Sequence, residues 1–385
     1  MLKKILAIVL TVAVALGLVG CSCGSAKIKP GKYKGVVVYH DDVEVTDDDV
    51  QQAINSTLTS DTANIKEKEV KKGTVESTDK VTVDFTGKIK YKGKKVAFDS
   101  GSAKDQEIDL AKDSGNFIQG FTSSIVGHKL GETFTAKMKF PETYTNTTTV
   151  KGKQVSLAGQ PVWFTYKVKK LTKRDVPKLT DKYVKKNAES KFYIAGVTTV
   201  KALKKYMKRQ MRVYKINNKV WNDIVKDSKV VKYDSDRLEK EKEDYTNYQL
   251  SQYQQQVGKE VPLSAYLQAC QMSEKQWDKQ ATKAAKESLK QTMLVEEIAK
   301  RAGIKVTKKI YKERGKELAL QSQTTLKNLE KQYGKKMIKA SILQGLVREY
   351  IADNVKEKKG SEPVTTQAPT TKKTDKKEET TKKSK

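Results

Sequence analysis

Side-chain chemistry needs a group that can attack, hold a metal or move a proton, and this sequence offers few. Of its 385 residues two are His, His40 and His128, and three are Cys. Cys21 and Cys23 close an N-terminal apolar run, which leaves Cys270 alone in the body. That spacing supplies no disulfide framework and no metal-ligand set, and no cofactor is expected. What remains is aromatic. Between Val81 and Leu171 the chain places Phe85, Phe98, Phe117, Phe121, Phe134, Phe140 and Phe164, with Ile118 among them. Such residues at alternating strand positions are core more often than pocket. Asp99 and Tyr144 are the informative pair, because a hydrophobic core needs neither. If the set lines a pocket, it suits a reaction without nucleophile or base.

These residues sit in runs that alternate apolar and polar: Val81-Thr82-Val83-Asp84-Phe85-Thr86-Gly87, Phe98-Asp99-Ser100-Gly101 and Val162-Trp163-Phe164-Thr165-Tyr166-Lys167-Val168. Gly, Asp and Pro punctuate them. The pattern predicts short antiparallel strands with one buried face. One helical turn fits between them, near Phe117 to Val126.

Val81 to Gly87 is followed by Phe117-Ile118-Gln119-Gly120-Phe121, Gly127-His128-Lys129-Leu130-Gly131-Glu132 and Phe140-Pro141-Glu142-Thr143-Tyr144. This order resembles the FKBP-type peptidyl-prolyl isomerases, most closely the version inserted in trigger factor, the bacterial folding chaperone. The resemblance implies an FKBP-type domain over 76–175, with peptidyl-prolyl cis-trans isomerase activity. It also implies a site. Phe85 lies on the first strand, Phe98 and Asp99 on the second, Phe117 and Ile118 at the turn, and Phe121 on the floor. Tyr144 stands on the loop after Pro141, and Phe164 on the last strand. Asp99 would be the polar wall group, Tyr144 the hydroxyl that meets a substrate carbonyl, and the Ile118 N–H a second donor. His128 belongs to a turn motif and reads as structural. Three positions depart from many soluble FKBP-type enzymes: Phe85 replaces Tyr, Phe121 replaces Trp, and Gln106 takes a place commonly aromatic.

Before this domain, Lys3 and Lys4 precede an apolar run from Ile5 to Leu16, too short for a stable span and typical of a signal peptide over 1–20. It ends Leu18-Val19-Gly20-Cys21, which resembles the lipobox of bacterial lipoproteins. That implies lipidation of Cys21 and a cell-membrane, lipid-anchored, extracytoplasmic location. At about 0.8 kcal/mol per buried CH₂, two or more acyl chains give stable anchoring. Residues 21–75 read as tether and connector arm, with a strand over Tyr33–Tyr39 and a helix from Val50 to Thr57. Asp47, Asp48 and Asp49 precede that helix, where its dipole favours acids. The arm resembles the trigger factor connector, but the lipoprotein signal stands where a ribosome-docking domain is expected, so no ribosome contact is expected.

After Val176-Pro177-Lys178-Leu179-Thr180-Asp181, which resembles the entry to trigger factor's C-terminal domain, the period changes to 3.6. Val200, Leu203, Met207, Met211, Tyr214, Trp221 and Ile224/Val225 fall on one helix face. Further helices are expected from Asp234 to Val257, from Ser273 to Gly303, and around Tyr311–Ser322, Thr324–Tyr333 and Lys335–Val355. Gly258 and Gly303 stand at C′ positions. The helical chaperone domain thus spans 176–357, and 358–385, built of Lys, Thr, Glu and Pro, reads as a disordered tail.

A net charge of +31 raises nucleic acid as a partner, but no helix-turn-helix, zinc finger or aromatic-basic run accompanies it. Lysines spread over every segment instead, giving a solvated surface that also attracts anionic membranes or wall polymers. The reading is an α+β chain, with the FKBP-like antiparallel β domain inserted before an all-helical trigger factor-like C-terminal domain. The expected function is that of a membrane-anchored foldase for unfolded or nascent secreted polypeptides with X-Pro bonds. The alternatives are a non-enzymatic holdase and a basic interaction lipoprotein that grips anionic cell-wall polymers.

Overall fold

The computed structural model describes residues 27–60, 65–142 and 144–362. The signal peptide and Cys21 readings lie outside these residues, as does the tail beyond 362. Among the described residues no helix is long and apolar enough to cross a membrane.

Five antiparallel strands build the first unit: β3 (Glu67–Val70), β4 (Lys80–Tyr91), β5 (Lys94–Asp109), β6 (Thr133–Lys139) and β9 (Pro161–Arg174). β9 holds the sheet together, pairing with β4 over most of its length, with β6 at its start and β3 at its end. Its Val162, Phe164, Tyr166 and Val168 are buried while Thr165 and Lys167 are exposed, the two-residue period seen in the sequence. With Val81, Val83, Ile89, Ile108 and Leu171 they form one core. Each such side chain stabilises the fold by about 1.5–3 kcal/mol on burial. A hairpin of β7 (Thr147–Val150) and β8 (Lys153–Ser156) lies beside β5.

The expected helical turn at 117–126 takes a different form. Two short 3₁₀ segments, Asp113–Asn116 and Ser123–Ile125, flank a turn that carries Phe117 to Thr122. Gly120 sits inside that turn at φ +89°, a left-handed backbone that interrupts any helix and suits glycine.

The second unit is helical. It contains α3 (Asp181–Asn187), α4 (Val200–Asp227), α5 (Ser235–Val257), α6 (Leu263–Ala269), α7 (Glu274–Ala302), α8 (Lys308–Gln321) and α9 (Leu326–Asp353). Local sequence sets the ends. The Ser273 hydroxyl accepts from Gln276 N, and the Gln276 side chain accepts from Ser273 N, a reciprocal capping box. Gly258 and Gly303 close α5 and α7 at φ +69° and +68°. α9 breaks at Gly334, φ 76° and ψ 150°, which divides it where the sequence separates two helices. On α4 the buried face runs through Leu203, Met207, Met211, Ile216, Val220, Trp221 and Ile224. Tyr214 and Val225, placed on that face by spacing, are half-buried.

The N-terminal arm is woven into this helical unit. β1 (Lys27–Lys29) pairs with β10 (Lys229–Lys232), and β2 (Val37–Tyr39) pairs in parallel with β11 (Lys356–Lys358). Only three residues of the Tyr33–Tyr39 run become strand, because the partner strand is that short. Between β2 and β3 lie α1 (His40–Val43) and α2 (Asp47–Leu58). On α2, Thr46 and Asp49 form a capping box at 3.1 and 2.9 Å. Ile28, Val38 and Val43 join the core around Ile216 and Trp221. Val50, Ile54 and Leu58 join that around Phe192, Leu203 and Met207. Residues 358–362, expected in the tail, are held as well: Asp41 N donates to Gly360 O at 3.1 Å and Ser361 Oγ to Asp41 at 3.1 Å. The β unit is therefore an insertion whose two flanks are both anchored in the helical body. α2 also touches it directly, where Asn55 Nδ2 donates to Ser77 O at 3.2 Å.

Candidate active site

An open cleft of about 870 Å³ lies on the inner side of the β sheet. All eight residues singled out in the sequence border it: Phe85, Phe98, Asp99, Phe117, Ile118, Phe121, Tyr144 and Phe164. The strands supply part of the set. Phe85 comes from β4, Phe98 and Asp99 from β5, and Phe164 from β9. The glycine-bearing turn brings Phe117, Ile118 and Phe121, and the loop after Pro141 brings Tyr144.

The rings are packed against one another. Phe121 meets Phe85 edge-on at 5.0 Å and Phe164 edge-on at 4.9 Å, and stacks parallel to Phe117 at 4.5 Å. Each such pair is worth about 0.5–1.5 kcal/mol beyond its buried area. Phe121 and Phe164 are 3% and 5% exposed, so they form the floor, while Phe85 and Phe117 are half-buried walls. Packing of this density fixes the shape of the cleft before any ligand arrives.

Two glycines make that packing possible. A Cβ on Gly101 would lie 2.6 Å from the Phe98 ring, and one on Gly87 would lie 2.7 Å from Phe164 Cε1. The sequence shows Gly at both places, but only the fold shows that aromatic rings occupy the space.

The polar groups stand at the rim. Asp99 is exposed, and its carboxylate has no hydrogen-bond or ion-pair partner among the described residues. Tyr144 is half-buried against Phe140 at 4.8 Å, and its hydroxyl accepts from Asn146 Nδ2 at 3.4 Å. Gln106 lies elsewhere: its amide donates to Glu107 O at 2.9 Å, and it does not border the cleft. His128 also sits apart, with Nδ1 2.7 Å from Glu132 and its ring stacked on Phe134.

Three supporting residues carry no role in the sequence reading. Phe140 and Leu157 border the cleft. Tyr166, fully buried beneath it, donates from its hydroxyl to the Phe121 carbonyl at 3.2 Å. Burial raises the Tyr166 hydroxyl well above its ordinary pKa, so it stays protonated and remains a donor. The signal for Tyr166 is its place two residues after Phe164, on the same strand face.

The FKBP-type peptidyl-prolyl cis-trans isomerase family matches residues 71–169, and the bacterial trigger factor C-terminus matches residues 199–357. A trigger factor of Onion yellows phytoplasma is 25% identical over 341 residues, covering 84% of this chain and 71% of that protein. One of Limosilactobacillus reuteri is 28% identical over 351 residues, covering 87% and 73%. The chain is similar to trigger factors over most of its length. Its β unit is an FKBP-type peptidyl-prolyl isomerase, and its helical body is a trigger factor C-terminus. A trigger factor of Bacillus thuringiensis reaches 31% identity over 199 residues, covering 52% of this chain and 42% of that protein. The matches support a prolyl isomerase unit joined to a chaperone body.

Proposed function

We propose that this protein works outside the cytoplasmic membrane, tethered by lipid on Cys21, and folds secreted chains as they emerge. The Leu18-Val19-Gly20-Cys21 sequence supports the location, and no ribosome contact is part of the reading. The helical body holds an unfolded segment while the cleft acts on its X-Pro bonds. Uncatalysed, that step takes tens of seconds or longer, slow enough to limit folding.

The observation that carries the catalytic part is the pairing of a packed aromatic floor with an unpartnered carboxylate at its rim. A proline ring seated on Phe121 and Phe164 leaves water, and the twisted amide, with its smaller charge separation, suits that environment better than the planar one. Tyr144 and the Ile118 N–H meet substrate carbonyls on either side of the bond. Asp99 faces the amide from the wall. No proton moves and no covalent bond forms.

The test is cis/trans exchange in short X-Pro peptides with the soluble form from Ser22 onward. Acceleration lost in Phe164→Ala, with aggregation suppression retained, supports the division of labour. Loss of both together rejects it. Cys21→Ser should move the protein from the membrane to the soluble fraction of expressing cells, and an unchanged distribution rejects lipid anchoring.

A further inference from the structure

The two faces of the β sheet differ in chemistry. On β9 the inward side chains of Val162, Phe164 and Tyr166 are buried, while Trp163 stands half-buried on the opposite, solvated face. What surrounds that ring is cationic. The strand register sets Lys88 of β4 and Lys137 of β6 directly beside Trp163, and pairs Lys90 of β4 with Lys95 of β5 on the same face. Lys95 Nζ lies 4.2 Å from the Trp163 ring centre and Lys137 Nζ 5.6 Å from it, both within cation–π range. All four lysines are exposed, and none has a carboxylate partner among the described residues. Other lysines of this unit are paired: Lys80 with Glu67 at 2.8 Å, Lys139 with Glu142 at 2.6 Å, and Lys169 with Asp84 and Asp105. Like charges side by side on a sheet repel one another, so this cluster gains from an anionic partner.

We propose that this face docks on an anionic phospholipid surface, with the lysines on the phosphates and the Trp163 indole at headgroup depth. An indole has an apolar body and one N–H, the combination that favours the membrane interface. The patch crosses four adjacent strands, about 14 Å at the usual strand spacing. A plane of headgroups presents phosphates over such a width, whereas a single polymer chain would meet them along one line. Trp163 and Phe164 are neighbours that point to opposite faces, so docking through one face leaves the aromatic cleft on the other open to clients. The docking face rests on the extracytoplasmic location proposed above, and adds a membrane contact that needs no lipid on Cys21.

The experiment is co-sedimentation of the chain from Ser22 onward, which keeps every described residue, with vesicles of phosphatidylglycerol and phosphatidylcholine in equal parts. Combining Lys88→Gln, Lys95→Gln and Lys137→Gln removes three charges from the patch. At about fivefold per lysine, binding should weaken about a hundredfold. The same loss of charge on exposed positions of α7, through Lys279→Gln, Lys283→Gln and Lys286→Gln, should weaken it less than about threefold. Trp163→Ala should weaken it several-fold with every charge in place. Equal losses in the two triple variants would overturn the proposal, because binding would then follow net charge alone. Tighter binding to soluble polyphosphate than to the vesicles, at equal phosphate concentration, would also overturn it and make the partner a free polyanion. This protein carries no lipid, so failure here leaves the Cys21 reading to its own fractionation test.

Discussion

The Tyr166 hydroxyl donates to the Phe121 carbonyl at 3.2 Å, from directly beneath the ring that forms the floor of the cleft. Ser124 Oγ donates to the same carbonyl at 3.0 Å, so the turn is pinned from strand and loop together. Tyr166→Phe removes one of the two bonds and should cost about 0.5–1.5 kcal/mol of stability. Isomerase activity should fall by more than stability explains at temperatures where the variant is fully folded, because the floor loosens. Unchanged kcat/KM would show that Ser124 alone holds the turn.

Gly101→Ala forces a methyl into the Phe98 ring, 2.6 Å from the present atoms. Overpacking of this kind costs about 1–3 kcal/mol. Here it should displace Phe98 toward the cleft, lowering X-Pro exchange rates while β5 remains paired. Urea unfolding and peptide exchange on the same preparation read both effects. A variant with wild-type rates would mean that Phe98 can move outward without narrowing the site.

Arg174, at the end of β9, bonds Asp109 of β5 bidentately at 2.8 and 2.6 Å and also reaches Glu67 of β3 at 3.0 Å. Its side chain is 2% exposed. Arg174→Met leaves the half-buried Asp109 carboxylate with only the Ala111 N–H at 3.1 Å and Lys112 at 3.9 Å. A cost of about 3–5 kcal/mol is expected from such a one-sided break. Replacing both residues by apolar ones should recover much of it. Denaturant midpoints of the single and double variants test this, and a single variant as stable as wild type would refute it.

Glu241, on α5, is 2% exposed and accepts from Ser288 Oγ of α7 at 2.7 Å. Burial pushes its carboxyl up to about 7, against the Ser288 hydrogen bond that favours the charged form. Arg237 does not rescue it, being engaged by Glu296 at 3.0 and 3.1 Å. A raised carboxyl pKa means the folded state holds the proton more tightly than the unfolded chain. Stability from this group is therefore complete below about pH 4.5 and is lost as pH rises to about 7. Glu241→Gln should be more stable than wild type at pH 8, by on the order of 2 kcal/mol. Its thermal midpoint should lose the dependence between pH 5 and 8 that Glu241 imparts. Parallel pH profiles of the two proteins would disprove the assignment.

The sequence by itself determined the local structure. Period-two runs specified β4, β5 and β9, because a pleated strand buries every second side chain. Ser273, Gly258 and Gly303 set helix ends, because capping depends on neighbours within a few residues. The order of Phe-bearing motifs, through its resemblance to FKBP-type isomerases, points to the eight residues that border the cleft. Tertiary structure decided what depends on partners far apart in the chain. β1 and β2 owe their short lengths to β10 and β11, some two to three hundred residues away. Tyr166 became a support for Phe121 only when β9 passed under the turn, and Gln106, paired with Val83 on β4, does not border the cleft. Lys88, Lys95 and Lys137 look like ordinary polar positions on three separate strands. The pairing of β6, β9, β4 and β5 brought them around Trp163, because register is set between strands and no local period encodes it.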